Sequence, residues 1–482
     1  MVDQTSSNIA TEISSKNLPP VTYRDLPEPL PFKQVLGPSV LLLAGAIGSG
    51  EYVLWPYITT QTGMALVWLA TIGILTQYFL NMEITRYTLA TGETAITGFT
   101  RLWKPWSVLF IFMVVIPWMW PGWATGSSTA ITYTFGLSEA AVVPITIASL
   151  VLIGIVLTVS PVVYKTVEKI QFFLVGLIVL FMIYTVFGLL TGKSWSALFA
   201  GFTTEIPNMP AAMTSIPVAL LLGAIAFAGA GGSLNLAQSN WVRDKGLGMG
   251  AHLPKIVSPI TGDETTSGAI GYFFPQDEKN LARWRAWWNV ADREQFITFF
   301  VLGLLAILLF MALAFTYVGV GSKATNFDFV RLLGENLSAQ VSPWVGAAFW
   351  GTGVVVLMST NLAVIDMVSR LVADIIKTNW TRDSKTWTES RVYFIVAWLM
   401  IAFGSIILLT GVKQPLLLLI IASALNGLVM FVYSVLLIQL NRGMLPRSIG
   451  LGGVRYVACL WAVLFYGGFS IYLVVTQFGK LF

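Results

Sequence analysis

Apolar runs of bilayer length fill most of this chain, and they leave it few ways to fold. A helix needs about 20 apolar residues to cross the hydrocarbon core. About eleven such runs occur, near 38–60, 64–87, 106–134, 140–160, 168–191, 213–238, 295–320, 343–376, 390–411, 415–439 and 455–477. In lipid every backbone N–H and C=O must be satisfied within the protein, so a spanning chain is a helix bundle or a closed barrel. Runs of this length exceed the roughly ten residues of a barrel strand. Of the 482 residues, 56% are hydrophobic and only 11% charged, against about 25% in a soluble domain. The expectation is an all-α integral membrane protein whose first and permanent partner is the lipid bilayer.

Lysine and arginine set the orientation. With the N-terminus in the cytosol, 23 of the 28 basic residues fall on inner segments. The outer side keeps Lys193, Lys323, Arg331, Lys413 and Lys480. By the positive-inside rule this predicts N-in and C-out, in a multi-pass protein of the plasma or inner membrane. The net charge of +5 is thus topological and points to no nucleic acid. Residues 1–36 are polar, carry Pro19, Pro20, Pro29 and Pro31, and lack the apolar core of a signal peptide, so they read as a mobile cytosolic tail. The longest inner loop, 240–292, sets Trp284, Trp287 and Trp288 among Arg283, Arg285 and Arg293. That pattern suits an interfacial anchor before a span, and alternatively a gating loop.

Two spans are interrupted by glycine. The first runs LGPSVLLLAGAIGSGEYVLWPY from Leu36, with Gly45, Gly48, Ser49 and Gly50 followed by Glu51. The sixth contains GAIAFAGAGGSLN, Gly223–Asn235. Paired interrupted segments in corresponding places mark the substrate site of a secondary transporter built from inverted repeats. The repeats would be 37–192 with spans 1–5, and 213–440 with spans 6–10 and the loop 240–292. Residues 441–482 then hold the eleventh span and the C-terminus. Pro117 and Pro121 should kink the third span.

The chemistry available at the breaks is hard oxygen. A broken helix frees carbonyls at one end and N–H groups at the other, and these attract cations and anions respectively. Glu51 adds a full negative charge. With Gly48, Ser49, Gly231, Gly232, Ser233 and Asn235, it would suit Mg²⁺, Ca²⁺, Mn²⁺ or Na⁺. The plainer alternative is that Glu51 only satisfies backbone N–H groups freed by the other break. Elsewhere, Glu83 and Arg86 read as a pair one turn apart, and Asp366 and Arg370 as either a helix-surface pair or an inner gate. One cysteine, Cys459, and one histidine, His252, exclude a disulfide framework and a multi-histidine metal site. No GxxxxGK[ST] loop is present, and nothing suggests an enzyme or a resident cofactor; any cation is cargo.

Several stretches resemble the Nramp family of metal-ion transporters, which share the inverted-repeat fold of LeuT-type amino-acid transporters. LGPSVLLLAG at Leu36 is similar to that family's first span, Gln61–Gly92 to its second, and SALNGLVMFVYSVLLIQLNRGML from Ser423 to its tenth and the loop after it. The resemblance implies a 5+5 inverted repeat with discontinuous helices 1 and 6, plus an eleventh helix. The family's Asp-Pro-Gly-Asn metal motif aligns with Gly48, Ser49, Gly50 and Glu51, so the metal-binding aspartate is replaced and an acid stands three positions later. Its Met-Pro-His motif becomes Gly231, Gly232 and Ser233, with no soft ligand. A tenth-span glutamine becomes Ser423. The acids of its proton route fall on Trp120 and Trp123, in a third span with no ionisable side chain from Ile116 to Ser128. The family's magnesium-transporting relatives similarly lack the methionine and the proton route.

Two functions remain open on this fold. One is alternating-access transport of a hard, Mg²⁺- or Mn²⁺-like cation with Glu51 as its ligand and without proton coupling along the third span. The other is transport of a small organic solute or organic cation, with Trp118, Trp120 and Trp123 lining the cavity.

Overall fold

The computed structural model describes residues 9–160, 162–256, 270–322, 324 and 327–478. Lys323 and Lys480, assigned above to the outer side, lie outside the described residues, as does 257–269 of the long loop. The chain is helical almost throughout, with one two-stranded sheet. Nine helices among the described residues are long and apolar enough to cross a membrane by length and composition. They are Pro38–Thr62, Trp106–Phe135, Glu139–Val159, Val163–Leu189, Glu278–Tyr317, Pro343–Asn379, Glu389–Leu409, Pro415–Gly443 and Gly453–Val475. Two further expected spans escape that criterion for physical reasons. Span 2, Val67–Thr91, carries Gln77, Asn81, Glu83 and Arg86 along buried faces. Span 6 is cut into Val218–Ala226 and Gly232–Lys245, each too short to cross alone. Numbered in chain order, the eleven spans match the expected 5+5+1 arrangement.

Both interruptions occur where the glycines predicted them. Span 1 runs as an α-helix over Pro38–Ala46, breaks at Ile47 and resumes through a wide π-type turn at Gly50–Leu54. In span 6 the residues from Phe227 to Gly231 are non-helical, with Gly229 and Gly231 at φ of 118° and 74°. Span 3 also breaks, at Met119–Pro121 between Trp106–Trp118 and Gly122–Phe135, as two prolines require.

The N-terminal segment corrects the expectation of a mobile tail. Ala10, Ile13, Leu18, Val21, Leu26 and Val35 are buried. Thr22–Tyr23 pairs in parallel with Tyr272–Phe273. Arg101 donates to the carbonyls of Ser14 and Pro19, and Trp287 donates to that of Pro27. The segment is a strap across the inner end of the bundle, taking the orientation the basic residues predict. Its polar composition hid enough apolar side chains to hold it down.

The long loop is likewise more ordered than expected. Span 6 stays helical to Lys245, and Glu278–Gln295 is a helical extension of span 7. Its tryptophans turn into the protein rather than toward lipid. Trp284 and Trp287 are buried, and Trp288 lies under the guanidinium of Arg86 at 4.1 Å.

Candidate substrate site

Glu51 holds the two breaks together. Its side chain is fully buried. Oε2 accepts from the Gly48 N–H at 3.1 Å, across the break of its own helix. Oε1 accepts from the Gly229 N–H at 3.0 Å, inside the break of span 6. The π-type turn carries Glu51 round to face both. Close approach of the two breaks depends on Gly50, where a β-carbon would lie 1.5 Å from the Phe227 carbonyl oxygen. Among the described residues, no lysine, arginine or histidine pairs with Glu51. A carboxylate has about four acceptor positions, so acceptor capacity remains beyond these amides.

The freed carbonyls are covered from spans 2 and 8. Gln77 Nε2 donates to the carbonyls of Ala226 and Ala228 at 2.7 and 2.9 Å, while its Oε1 accepts from the Gly231 N–H at 2.9 Å. One glutamine side chain thus replaces the missing rungs of span 6. On span 8, Ser359 Oγ reaches the Ala44 carbonyl at 3.0 Å, and Thr360 Oγ1 lies 3.5 Å from that of Ile47 and 3.1 Å from that of Val356.

The other residues singled out by sequence distribute as follows. Gly232, at φ 53°, packs against Asn426, whose Oδ1 would be 1.7 Å from a β-carbon there and which accepts from the Ser233 N–H at 3.3 Å. Ser233 Oγ is buried without a partner. Asn235 donates to Asn81 Oδ1 at 2.7 Å, and its own Oδ1 is unpartnered. Ser423 donates to the carbonyl of Ile420 in its own helix and faces Gly223, in the first half of span 6. Ser49 Oγ accepts from Trp123 Nε1 at 3.2 Å. The Trp123 ring stacks on Trp118 at 5.1 Å, and both lean on Phe227 in the span 6 break. Trp118 rather than Trp120 completes that stack; Trp120 is half-buried with its indole N–H unpartnered. Gln77, Asn81, Ser359, Thr360 and Asn426 were not singled out from sequence. The signal was available for the first two, amides four residues apart inside an apolar span.

The ends of the bundle differ. At the inner end Arg243 pairs with Asp374 at 2.5 Å and Glu389 at 2.6 Å, and Arg370 pairs with Asp366 at 2.8 Å and with Asp244. Trp241 and Tyr393 donate to Asp366, and Thr94 to Asp374. Asp366 and Arg370 therefore form a helix pair and also part of an inner closure joining spans 6, 8 and 9. Glu83 and Arg86 pair at 2.6 Å as expected. At the outer end a cavity of about 570 Å³ opens among Thr129, Tyr133, Asp328, Arg331, Trp350 and Lys413. Tyr52, next to Glu51, is buried and donates to the Phe349 carbonyl of span 8 at 3.2 Å.

Solved structures share this fold. A mutant of the manganese transporter of Eremococcus coleocola superposes with a TM-score of 0.66 at 14% identity, over 98% of this chain and 91% of that one. The fold is Nramp-like. The same Nramp-like core superposes more loosely on two LeuT-fold transporters of organic solutes. MhsT in complex with L-phenylalanine gives 0.51 at 14% identity, over 93% of this chain and 100% of the other. Mhp1, a nucleobase-cation-symport-1 family transporter in a closed conformation, gives 0.50 at 11%, over 97% of each. No protein-family model matches the chain, and no curated protein sequence does. Within the Nramp-like frame, the two discontinuous helices meet at Glu51 in this chain.

Proposed function

We propose that this chain is a secondary transporter of a hard divalent cation, moved by alternating access between spans 1 and 6, with Glu51 as the charged ligand. The observation that carries this reading is the carboxylate without a counter-charge. A buried ion lacking a partner costs several kcal/mol, so Glu51 calls for a cation that arrives from outside the fold. The freed carbonyls of Ala44 and Ile47 and the hydroxyl of Ser49 supply further hard oxygen nearby. The fold shared with a manganese transporter supports the class of cargo. The repeats 37–192 and 213–440 would rock about the site, in a plasma or inner membrane with the N-terminal strap in the cytosol.

A second reading is favoured by one observation. Trp118, Trp123 and Phe227 form an aromatic wall at the same break, and the Trp118 indole N–H is buried without a partner. Such a wall suits an organic cation, which Glu51 would also neutralise. Uptake into proteoliposomes across Mg²⁺, Mn²⁺, Cd²⁺ and a panel of organic amines separates the two. The metal reading expects Mg²⁺ and Mn²⁺ flux with little preference for Cd²⁺, lost in Glu51→Gln while the variant stays folded. Unchanged metal affinity in Glu51→Gln would overturn it, and amine flux without metal flux would establish the alternative.

A further inference from the structure

A second polar centre lies inward of Glu51, where spans 1, 6 and 7 meet. Glu294, at the start of the membrane part of span 7, is 3% exposed. Its Oε1 accepts from the N–H groups of Gly37 and Ser39 at 3.2 and 3.1 Å, capping span 1, and its Oε2 faces Ser39 Oγ. Ser39 Oγ also lies 2.5 Å from Gln295 Oε1, and Gln238 Nε2 reaches Gln295 Oε1 at 3.1 Å. Gln238 Oε1 and Gln295 Nε2 are buried and unpartnered. Turning both amides over exchanges their roles but still leaves one amide N–H and one amide oxygen without a partner. The nearby Lys245 is already paired with Glu168 at 2.7 Å. Glu294 therefore has no basic side chain bonded to it among the described residues.

These vacancies ask for a particular occupant. An orphaned buried donor or acceptor costs about 1–3 kcal/mol, and an unpaired carboxylate more. Water alone would serve the amides and leave the charge. A cation that keeps part of its water shell serves all three: charge for Glu294, a metal bond for the amide oxygen, a water lone pair for the amide N–H. Mg²⁺ and Mn²⁺ are such ions, bound through one or two carboxylates with several waters retained. A second observation ties this centre to the first. Asn81 and Asn235 bridge spans 2 and 6 between the span 6 break and Gln238, and they too leave an N–H and an oxygen unpartnered.

We infer that Ser39, Gln238, Glu294 and Gln295 form a second cation site, a release station that takes the hydrated ion after it leaves Glu51. This rests on the cation-transport reading, and binding stoichiometry separates the two. Mn²⁺ titration of the full chain in nanodiscs should give two ions for the wild type, one for Glu51→Gln and one for Glu294→Gln. A single wild-type ion that is lost in Glu51→Gln and kept in Glu294→Gln overturns the second site and leaves the transport reading standing. A single ion lost only in Glu294→Gln overturns Glu51 as ligand instead. Because Glu294 also caps span 1, Gln238→Leu is the companion variant; it removes an amide that lies 3.4 Å from Ser39 Oγ but leaves the bonds from the Gly37 and Ser39 N–H groups to Glu294 in place. Its second site should bind Mn²⁺ about tenfold or more weakly, and unchanged affinity there overturns the proposal even if Glu294→Gln fails to fold.

Discussion

The two mouths of this bundle are closed by different chemistry. At the inner end the ion pairs are dry: Arg370 and Asp244 have no exposed side-chain surface, and Arg243 has 4%. They knit three spans together, and the strap lies across the same end. At the outer end the pairs stand in water. Arg331 and Glu335 are 58% and 48% exposed, Lys413 and Glu139 41% and 81%. Charged residues at the two ends therefore do unequal work, because a Coulombic attraction counts for far more when both partners are shielded from solvent. The bundle is thus closed by dry ion pairs at the end the strap covers and carries only solvent-exposed pairs at the other.

The comparison can be broken most severely at Arg370. Arg370→Ala strands Asp366 and Asp244 in a dry interface, and the expected loss is about 3–5 kcal/mol. Thermal unfolding of the purified variant measures it; a loss under about 1 kcal/mol would mean the inner network is wet in the membrane.

Acid should loosen the same end through the strap. Glu93, just beyond span 2, is buried, which by itself raises its pKa. Arg101, with help from Tyr87 and the Gly271 N–H, outweighs that and holds the carboxyl below its ordinary value of 4.5. A depressed folded pKa gives stability that is present above 4.5 and lost as pH falls through the lower value. A spin label at Lys16→Cys, in a Cys459→Ser background, should stay immobile at pH 7 and 5 and become mobile only well below pH 4.5. Mobility already rising near pH 6 would contradict the pairing.

Tyr52→Phe keeps the ring and removes the outer hydrogen bond. The expected effect is about 1 kcal/mol of stability, measured by thermal unfolding. No change would show that packing rather than the hydroxyl holds Tyr52 against span 8. Arg331→Ala should be the quietest of the four, within about 0.5 kcal/mol by thermal unfolding. A larger effect would erase the contrast between the two ends.

The architecture was legible because its signals are local. Apolar run length marks spans, glycine marks the two breaks, and an acid beside one break marks Glu51. What the acid does was not legible, since Gly48 and Gly229 come together only in three dimensions. The replacement of span 6 hydrogen bonds by Gln77 was hidden for the same reason. Trp118 and Trp120 are equivalent by composition, and only the bend at Met119–Pro121 decides which meets Phe227. The strap misled because polarity was averaged over 36 residues, whereas Ile13, Leu18, Val21 and Leu26 act singly.

At Gly50 the two breaks approach so closely that a hydrogen is all the space allows. A lever with such a contact at its middle has a fulcrum that can turn but cannot part. The arms on either side are then geared: separation of the outer ends of spans 1 and 6 is expected to bring their inner ends together, and the reverse. Paired distance probes at the two ends of these spans should change with opposite signs in every conformation the bundle visits. Gly50→Ala would slip that gear rather than merely fill a gap.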